Sequence, residues 1–185
     1  MRRMRAVLVV LLASAVSGPL AAQAPAAAEA TPAALVRQWF ERLNAVTDVA
    51  ATLDAFVALH DDEALLTAGP TPDQRGTATY RGHRGIRAFA ERLAARERQR
   101  TYRLETETAR ETTATLLHET AGPWGGPAVA VQIVAAYTDA ATGTRYAAPG
   151  AAFFQIADGR IRRVRLYISE AERAEVEPPP TRKRP

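Results

Sequence analysis

The chain has no cysteine among its 185 residues. Disulfide staples, thiolate nucleophiles, thiolate metal ligands and a lipid-bearing cysteine are therefore excluded, and the compartment must be read from something else. Histidine is nearly as scarce. There are three, with no His-x-His or His-x3-His spacing, so no metal and no cofactor are expected. An excess of one charge sign is missing too, once the ends are set aside. Arg2, Arg3, Arg5, Arg182, Lys183 and Arg184 supply six of the 24 basic residues, and the 18 that remain face 19 acidic ones between Thr31 and Glu177. The pI near 9.9 thus belongs to the termini, and no basic footprint for nucleic acid is expected in the body of the chain.

The compartment is read from the N-terminus. Met1 to Arg5 is basic, and Ala6 to Val16 is apolar but short for a bilayer span. A Ser17-Gly18-Pro19 break then leads to Ala22-Gln23-Ala24, a small-x-small pattern. Residues 1–24 read as a cleavable signal peptide and 25–30 as a flexible Ala/Pro-rich leader, so the mature protein is expected to be exported, to periplasm or medium, and free of the membrane.

Thr31 as N-cap, Pro32 at the first helical position, and Leu35, Val36, Trp39, Phe40, Leu43 and Val46 on one face predict a first helix. Asp48 is the expected cap of a second helix carrying Val49, Leu53, Phe56, Val57 and His60 on one side. A short strand over 63–68 and a long irregular connection over 69–82 follow. Ile86, Phe89, Ala90, Leu93 and Ala94 then stripe a third helix. From Thr101 the period changes to two, with strands expected over 101–108, 111–120, 128–138, 144–156 and 160–169. Asp158-Gly159 is the strongest turn signal, because a tight hairpin needs positive φ there. That terminal hairpin is expected to close the sheet around a pocket. Arg163, Arg165 and Tyr167 would lie outward with Gln155, and Val164, Leu166 and Ile168 toward the helices. Residues 170–185 read as a charged, Pro-rich tail. The layout is α+β: three N-terminal helices packed on one face of a curved antiparallel sheet.

Three motifs carry a resemblance: Phe56 to Leu65 at the junction of helix and first strand, Tyr80-Arg81-Gly82 with Ile86, Phe89 and Leu93, and Phe153 to Tyr167 across the hairpin. In this order they resemble the nuclear transport factor 2-like (NTF2-like) superfamily and its SnoaL-like branch, over residues 31–169. The resemblance implies a cystatin-like cone with a pocket between concave sheet and helices, often dimerised through the outer sheet face. It does not fix an activity, since the superfamily holds isomerases, dehydratases, cyclases, epoxide hydrolases and members without catalysis. The carboxylate, Tyr and protonated Asp of ketosteroid-isomerase-like sites, and the Asp-Arg-Asp set of epoxide-hydrolase-like ones, find no evident counterpart here, which disfavours both activities.

His118 is the leading acid/base candidate. It shares a parity with Ala114 and Leu116, and burying Glu119 of the other parity unpaired is expensive, which puts His118 on the pocket side. Tyr137, in parity with Val129, Val131 and Ile133, would assist as a hydroxyl donor. A hydrogen-bonded sheet histidine, or the reversed parity, is the plainer reading. The pocket lining is expected to include Trp39, Phe56, His60, Tyr80, His83 and Trp124. Each has a structural reading beside it. Trp39 and Phe56 suit a core, His60 can donate to carbonyls near a helix end, and His83 either meets a ligand anion at a helix start or is solvated. Trp124 in its Gly/Pro turn either rims the pocket or packs back on the domain. The functional expectation is an exported protein binding a small, largely apolar molecule. The alternatives are an isomerase, cyclase or dehydratase centred on His118, and an interaction domain using its sheet face.

Overall fold

A computed structural model describes residues 31–69, 76–105, the backbone of 118–121, and 127–177. Helix α1 (Pro32–Ala45) starts where the sequence places it, with the Thr31 hydroxyl accepting from the Ala34 amide at 3.2 Å. Its apolar stripe, Leu35, Val36, Trp39, Phe40 and Leu43, is buried. Helix α2 (Ala50–Val57) is shorter than expected and is not capped by Asp48. Val49 holds the N-cap without a side-chain bond, and Thr47 and Thr52 bond one another across the junction. His60 falls outside the helix, as the first residue of strand β1 (His60–Gly69). A strand that the sequence did not announce, β2 (Ala78–Arg81), pairs with β1 and delivers the chain into α3 (Gly82–Arg96). An Arg87–Asp54 ion pair ties α3 to α2.

The remaining strands are β3 (Glu97–Leu104), β4 (His118–Ala121), β5 (Pro127–Asp139), β6 (Arg145–Ala157), β7 (Arg160–Ile168) and β8 (Ala174–Glu175). Their order across the sheet is β2-β1-β7-β6-β5-β3, with β4 pairing to β5 and β8 to β6. The sheet is curved, unclosed and mixed, not purely antiparallel as expected, because β1 runs parallel to β7. Those two strands are separated by most of the domain, so no hairpin constrains them to oppose. The β6–β7 hairpin is accordingly central and does not close an edge. Its turn is as expected: Asp158 and Gly159 have φ of 51° and 69° between the paired Ala157 and Arg160, the geometry of a two-residue I′ turn. The parity of β7 also holds, with Val164 and Leu166 buried toward the helices and Arg165 and Tyr167 exposed.

The core lies between the helices and the concave sheet face. Trp39 is its centre, with ring centroids 4.9 Å from Phe40, 5.4 Å from Phe56 and 5.2 Å from Phe154. Edge-to-face packing of this kind adds to the area term. Folded structure also extends past Ser169, where the tail was expected to begin: a 3₁₀ turn at Glu170–Glu172 and β8 return the chain to the start of β6. Among the described residues no helix is long and apolar enough to cross a membrane.

Candidate functional site

The residues from Arg96 to Tyr102 set up the site. Helix α3 ends at Arg96 and β3 begins at Glu97, and the β3–β5 register slips between Arg98 and Thr101. Gln99 has a φ of 49° inside this bulge. An extra residue resets the alternation, so that Glu97, Arg100 and Tyr102 all point inward while Arg98, Gln99 and Thr101 are exposed. The guanidinium of Arg100 donates to the carbonyls of Leu93 (2.9 Å), Glu97 (3.1 Å) and Val46. It thus meets buried carbonyls near the C-terminal ends of α3 and α1 with a cation, where the helix dipoles favour one. Asn44 of α1 then clamps the bulged strand at Tyr102, its amide nitrogen donating to the Tyr102 carbonyl at 3.0 Å and its oxygen accepting from the Tyr102 amide at 2.7 Å.

Glu97 is the unusual product of this geometry, a carboxylate only 1% exposed. Arg96 donates to its Oε1 at 2.7 Å and the Tyr102 hydroxyl to its Oε2 at 2.9 Å, so the charge is both paired and hydrogen-bonded. Burial, and secondarily the neighbouring Glu97 charge, hold the Tyr102 phenol well above its ordinary pKa, so it stays a donor. Tyr137 lies on the same inner face, and burial raises its pKa as well. Arg173 reaches back toward the Tyr137 hydroxyl at 3.5 Å, pairs with Glu170 at 3.1 Å, and sits 4.2 Å from the centroid of the Tyr146 ring. Glu170 is pushed up, chiefly by burial.

Glu97, Tyr102, Tyr137 and Glu170 border a cavity of about 30 Å³, whose lining also includes Arg96 and the apolar Phe89, Leu93, Leu166 and Ile168. A larger, open groove of about 730 Å³ lies outside it, between the ends of α1 and α3, with Asn44, Asp48, Glu91, Arg98 and Gln99 among its walls. Glu97 borders both spaces.

Of the residues expected at the site, Tyr137 is there. Trp39 and Phe56 are wholly buried in the core. His60 is buried with them. Trp39 Nε1 donates to its Nε2 at 3.0 Å, and its Nδ1 donates toward the Phe56 and Val57 carbonyls, which leaves neither ring nitrogen for a ligand. Tyr80 packs on Phe89 at 5.4 Å and is not among the residues that line the cavity. His83 lies at the far end of β1, donating to the His60 carbonyl at 3.0 Å beside Asp62. Backbone register places His118 opposite Ala130, in the row of the exposed Gln132, while Glu119 stands opposite the buried Val129. The side chain of His118 and all of Trp124 lie outside the described residues. No group of three or more potential metal ligands occurs among the described residues.

A family profile described as the SnoaL-like domain matches residues 36–164. The chain belongs to the SnoaL-like family. Among solved structures, the SnoaL-like domain is similar to the epoxide hydrolase/cyclase-like enzyme SalBIII of salinomycin pyran-ring formation. Identity is 19%, coverage is 77% of this chain and 93% of that one, and the TM-score is 0.54. A ketosteroid-isomerase-like protein from Catenulispora acidiphila, solved with trimethylamine, is 16% identical, with coverage of 75% and 87% and a TM-score of 0.55. A computationally designed 17-OHP binder is 15% identical, with coverage of 78% and 95% and a TM-score of 0.54. Likenesses at this identity establish the NTF2-like fold and leave the chemistry to the site itself. No curated protein matches the sequence.

Proposed function

We propose that this SnoaL-like domain is an exported binder of a small, largely apolar molecule, held between α3 and the concave sheet. The observation that carries the reading is the composition of the inner cavity: Phe89, Leu93, Leu166 and Ile168 supply apolar lining, and Arg96, Glu97, Tyr102, Tyr137 and Glu170 supply its polar groups. Such a lining binds by burial and orients by a few polar contacts. Tyr137, kept protonated by burial, is the donor to a ligand oxygen. Export rests on the basic and apolar residues of 1–24. The exposed Phe153 and Tyr167, with ring centroids 6.3 Å apart on the outer sheet face, support a homodimer there. Light scattering of the wild type and of Phe153→Asp, with the variant monomeric, tests that assembly.

Native mass spectrometry of the mature protein, with Tyr137→Phe and His118→Ala alongside, tests the binding. The expected result is a retained small molecule that Tyr137→Phe loses and His118→Ala keeps. The absence of any bound species or ligand-induced shift in the wild type, across a broad panel of apolar compounds, defeats the reading.

A specific observation favours an acid/base enzyme as the second reading. Glu170, with its pKa raised by burial, lines the same cavity as the protonated phenol of Tyr137, so one space is bordered by a carboxyl and by a hydroxyl donor. Turnover of a bound carbonyl compound that Glu170→Gln abolishes, with binding retained, would select it.

A further inference from the structure

The inner cavity holds about 30 Å³, room for roughly one water molecule and far below the few hundred Å³ of a typical small-ligand site. What covers it is informative. After β7 the chain turns at Glu170–Glu172, places Glu170 in the cavity wall, and rejoins β6 through the pairs Ala147↔Ala174 and Tyr146↔Glu175. Backbone bonds fix it only near its ends, from the Ser169 amide to the Pro149 carbonyl at 2.8 Å and from the Val176 amide to the Arg145 carbonyl at 3.0 Å. Between them Arg173 is the pin, held to the sheet by the Tyr137 hydroxyl and the face of Tyr146, and paired within the strap to Glu170. No residue from Ser169 to Glu177 is buried, in contrast to β6 and β7, whose inward residues Ala152, Phe154, Val164 and Leu166 belong to the core. A segment held by a few part-buried polar contacts, with no buried apolar side chain, belongs to the low-stability end of a fold and opens locally without the sheet.

We propose that residues 169–176 are a strap closing the mouth of the cone, and that a ligand reaches Tyr137 only when Arg173 releases and the strap lifts from β6. The proposal rests on the ligand site proposed above and adds its regulation. Lifting the strap removes Glu170 from the cavity wall and Arg173 from Tyr137 and Tyr146 together, which unroofs the space and frees the Tyr137 hydroxyl in one movement.

The absence of native cysteine makes the test clean. Ala147→Cys with Ala174→Cys places a disulfide across directly opposed antiparallel residues, a spacing that a disulfide spans. Binding of 1-aminoanthracene, a neutral apolar fluorophore, is followed by stopped flow in the oxidised and reduced forms of this variant, in the wild type and in Arg173→Ala. The expected result is association slowed about tenfold or more by oxidation, restored by reduction, and accelerated in Arg173→Ala. Equal rates in the oxidised and reduced forms would overturn the strap and direct entry to the groove beside Asn44 and Glu91. No fluorescence change in any form would overturn the ligand site, and the gating role with it. Amide hydrogen exchange of the wild type supplies a ligand-free arm. The Ser169 and Val176 amides should exchange about a hundredfold faster or more than those of the β5–β6 ladder, and equal protection of strap and ladder would overturn the proposal.

Discussion

Trp39 donates its indole Nε1–H to Nε2 of His60 at 3.0 Å, and the other ring nitrogen of His60 donates toward the carbonyls of Phe56 and Val57 at 3.1 and 3.3 Å. One wholly buried imidazole thereby joins α1, the end of α2 and the start of β1, and it can do so only as the neutral Nδ1–H tautomer. Burial lowers its pKa from 6.5 to about 4, against a smaller upward pull from the two carbonyls.

A pH dependence of stability follows, with a definite sign. The unfolded chain takes up a proton on His60 near pH 6.5, whereas the folded chain resists until about pH 4. The unfolded state binds more protons in that window, so stability from this group is complete above pH 6.5 and falls as the pH drops toward 4. By pH 5 the loss is about 2 kcal/mol. Urea unfolding of the wild type and His60→Gln at pH 7.5 and pH 5 should show the loss in the first and a much flatter response in the second. Parallel slopes would remove His60 as the cause.

Gly82 opens α3 with a φ of +62°, and a Cβ there would stand 2.8 Å from the Asp62 carbonyl oxygen. Gly82→Ala therefore meets both the left-handed backbone penalty and a backbone contact that cannot swing aside. We expect a loss of about 1–3 kcal/mol in urea unfolding, with native far-UV dichroism retained. A loss under about 0.5 kcal/mol would mean that the helix start shifts to relieve the contact.

Asn44 makes both of its bonds to the backbone of one residue, Tyr102, on the strand that carries the bulge. Asn44→Ala leaves a half-buried amide and carbonyl without partners. It should cost about 2 kcal/mol as a lower urea midpoint at constant slope. Amide exchange at Tyr102 should rise with it. A stability loss without that local rise would assign the effect to α1 alone.

The sequence showed the frame of this fold better than its site. Periodic stripes placed α1 and α3, Asp158-Gly159 placed the β6–β7 turn, and the alternation from Val164 to Tyr167 placed the two sheet faces. Each signal is local, so a short window carries it. Site residues depend instead on register. The run Arg96-Glu97-Arg98-Gln99-Arg100 reads as a solvated helix end, and only the bulge at Gln99 turns Glu97 and Arg100 inward. A charge run at a change of period was the one signal available. At His118 the cost of burying Glu119 was the one argument a local window offered, whereas the row is set by pairing with β5, which no local window contains. Glu170 and Arg173 looked like tail, because a strap with no buried apolar side chain has no apolar pattern by which to announce itself.

Glu97 and Tyr102 form a hydrogen-bonded pair in the lining of the cavity, and their coupling can be measured in two ways. The hydroxyl donates to a carboxylate that is 1% exposed, so the pair should couple by about 1.5–3 kcal/mol in a double-mutant cycle of Glu97→Gln and Tyr102→Phe by urea unfolding. Removing the carboxylate charge also removes one of the influences that raise the Tyr102 pKa, while burial, the larger one, remains. In alkaline absorbance titration, Glu97→Gln should therefore move Tyr102 to lower pH, still above the ordinary value of 10, together with Tyr137, whose pKa the Glu97 charge also raises; the Tyr102 part of the shift should vanish in the double variant with Phe at position 102. A titration identical to wild type, or a coupling near zero, would show that the phenol and carboxylate do not share the proton geometry assigned to them, and Tyr137 would then stand alone as the donor of the site.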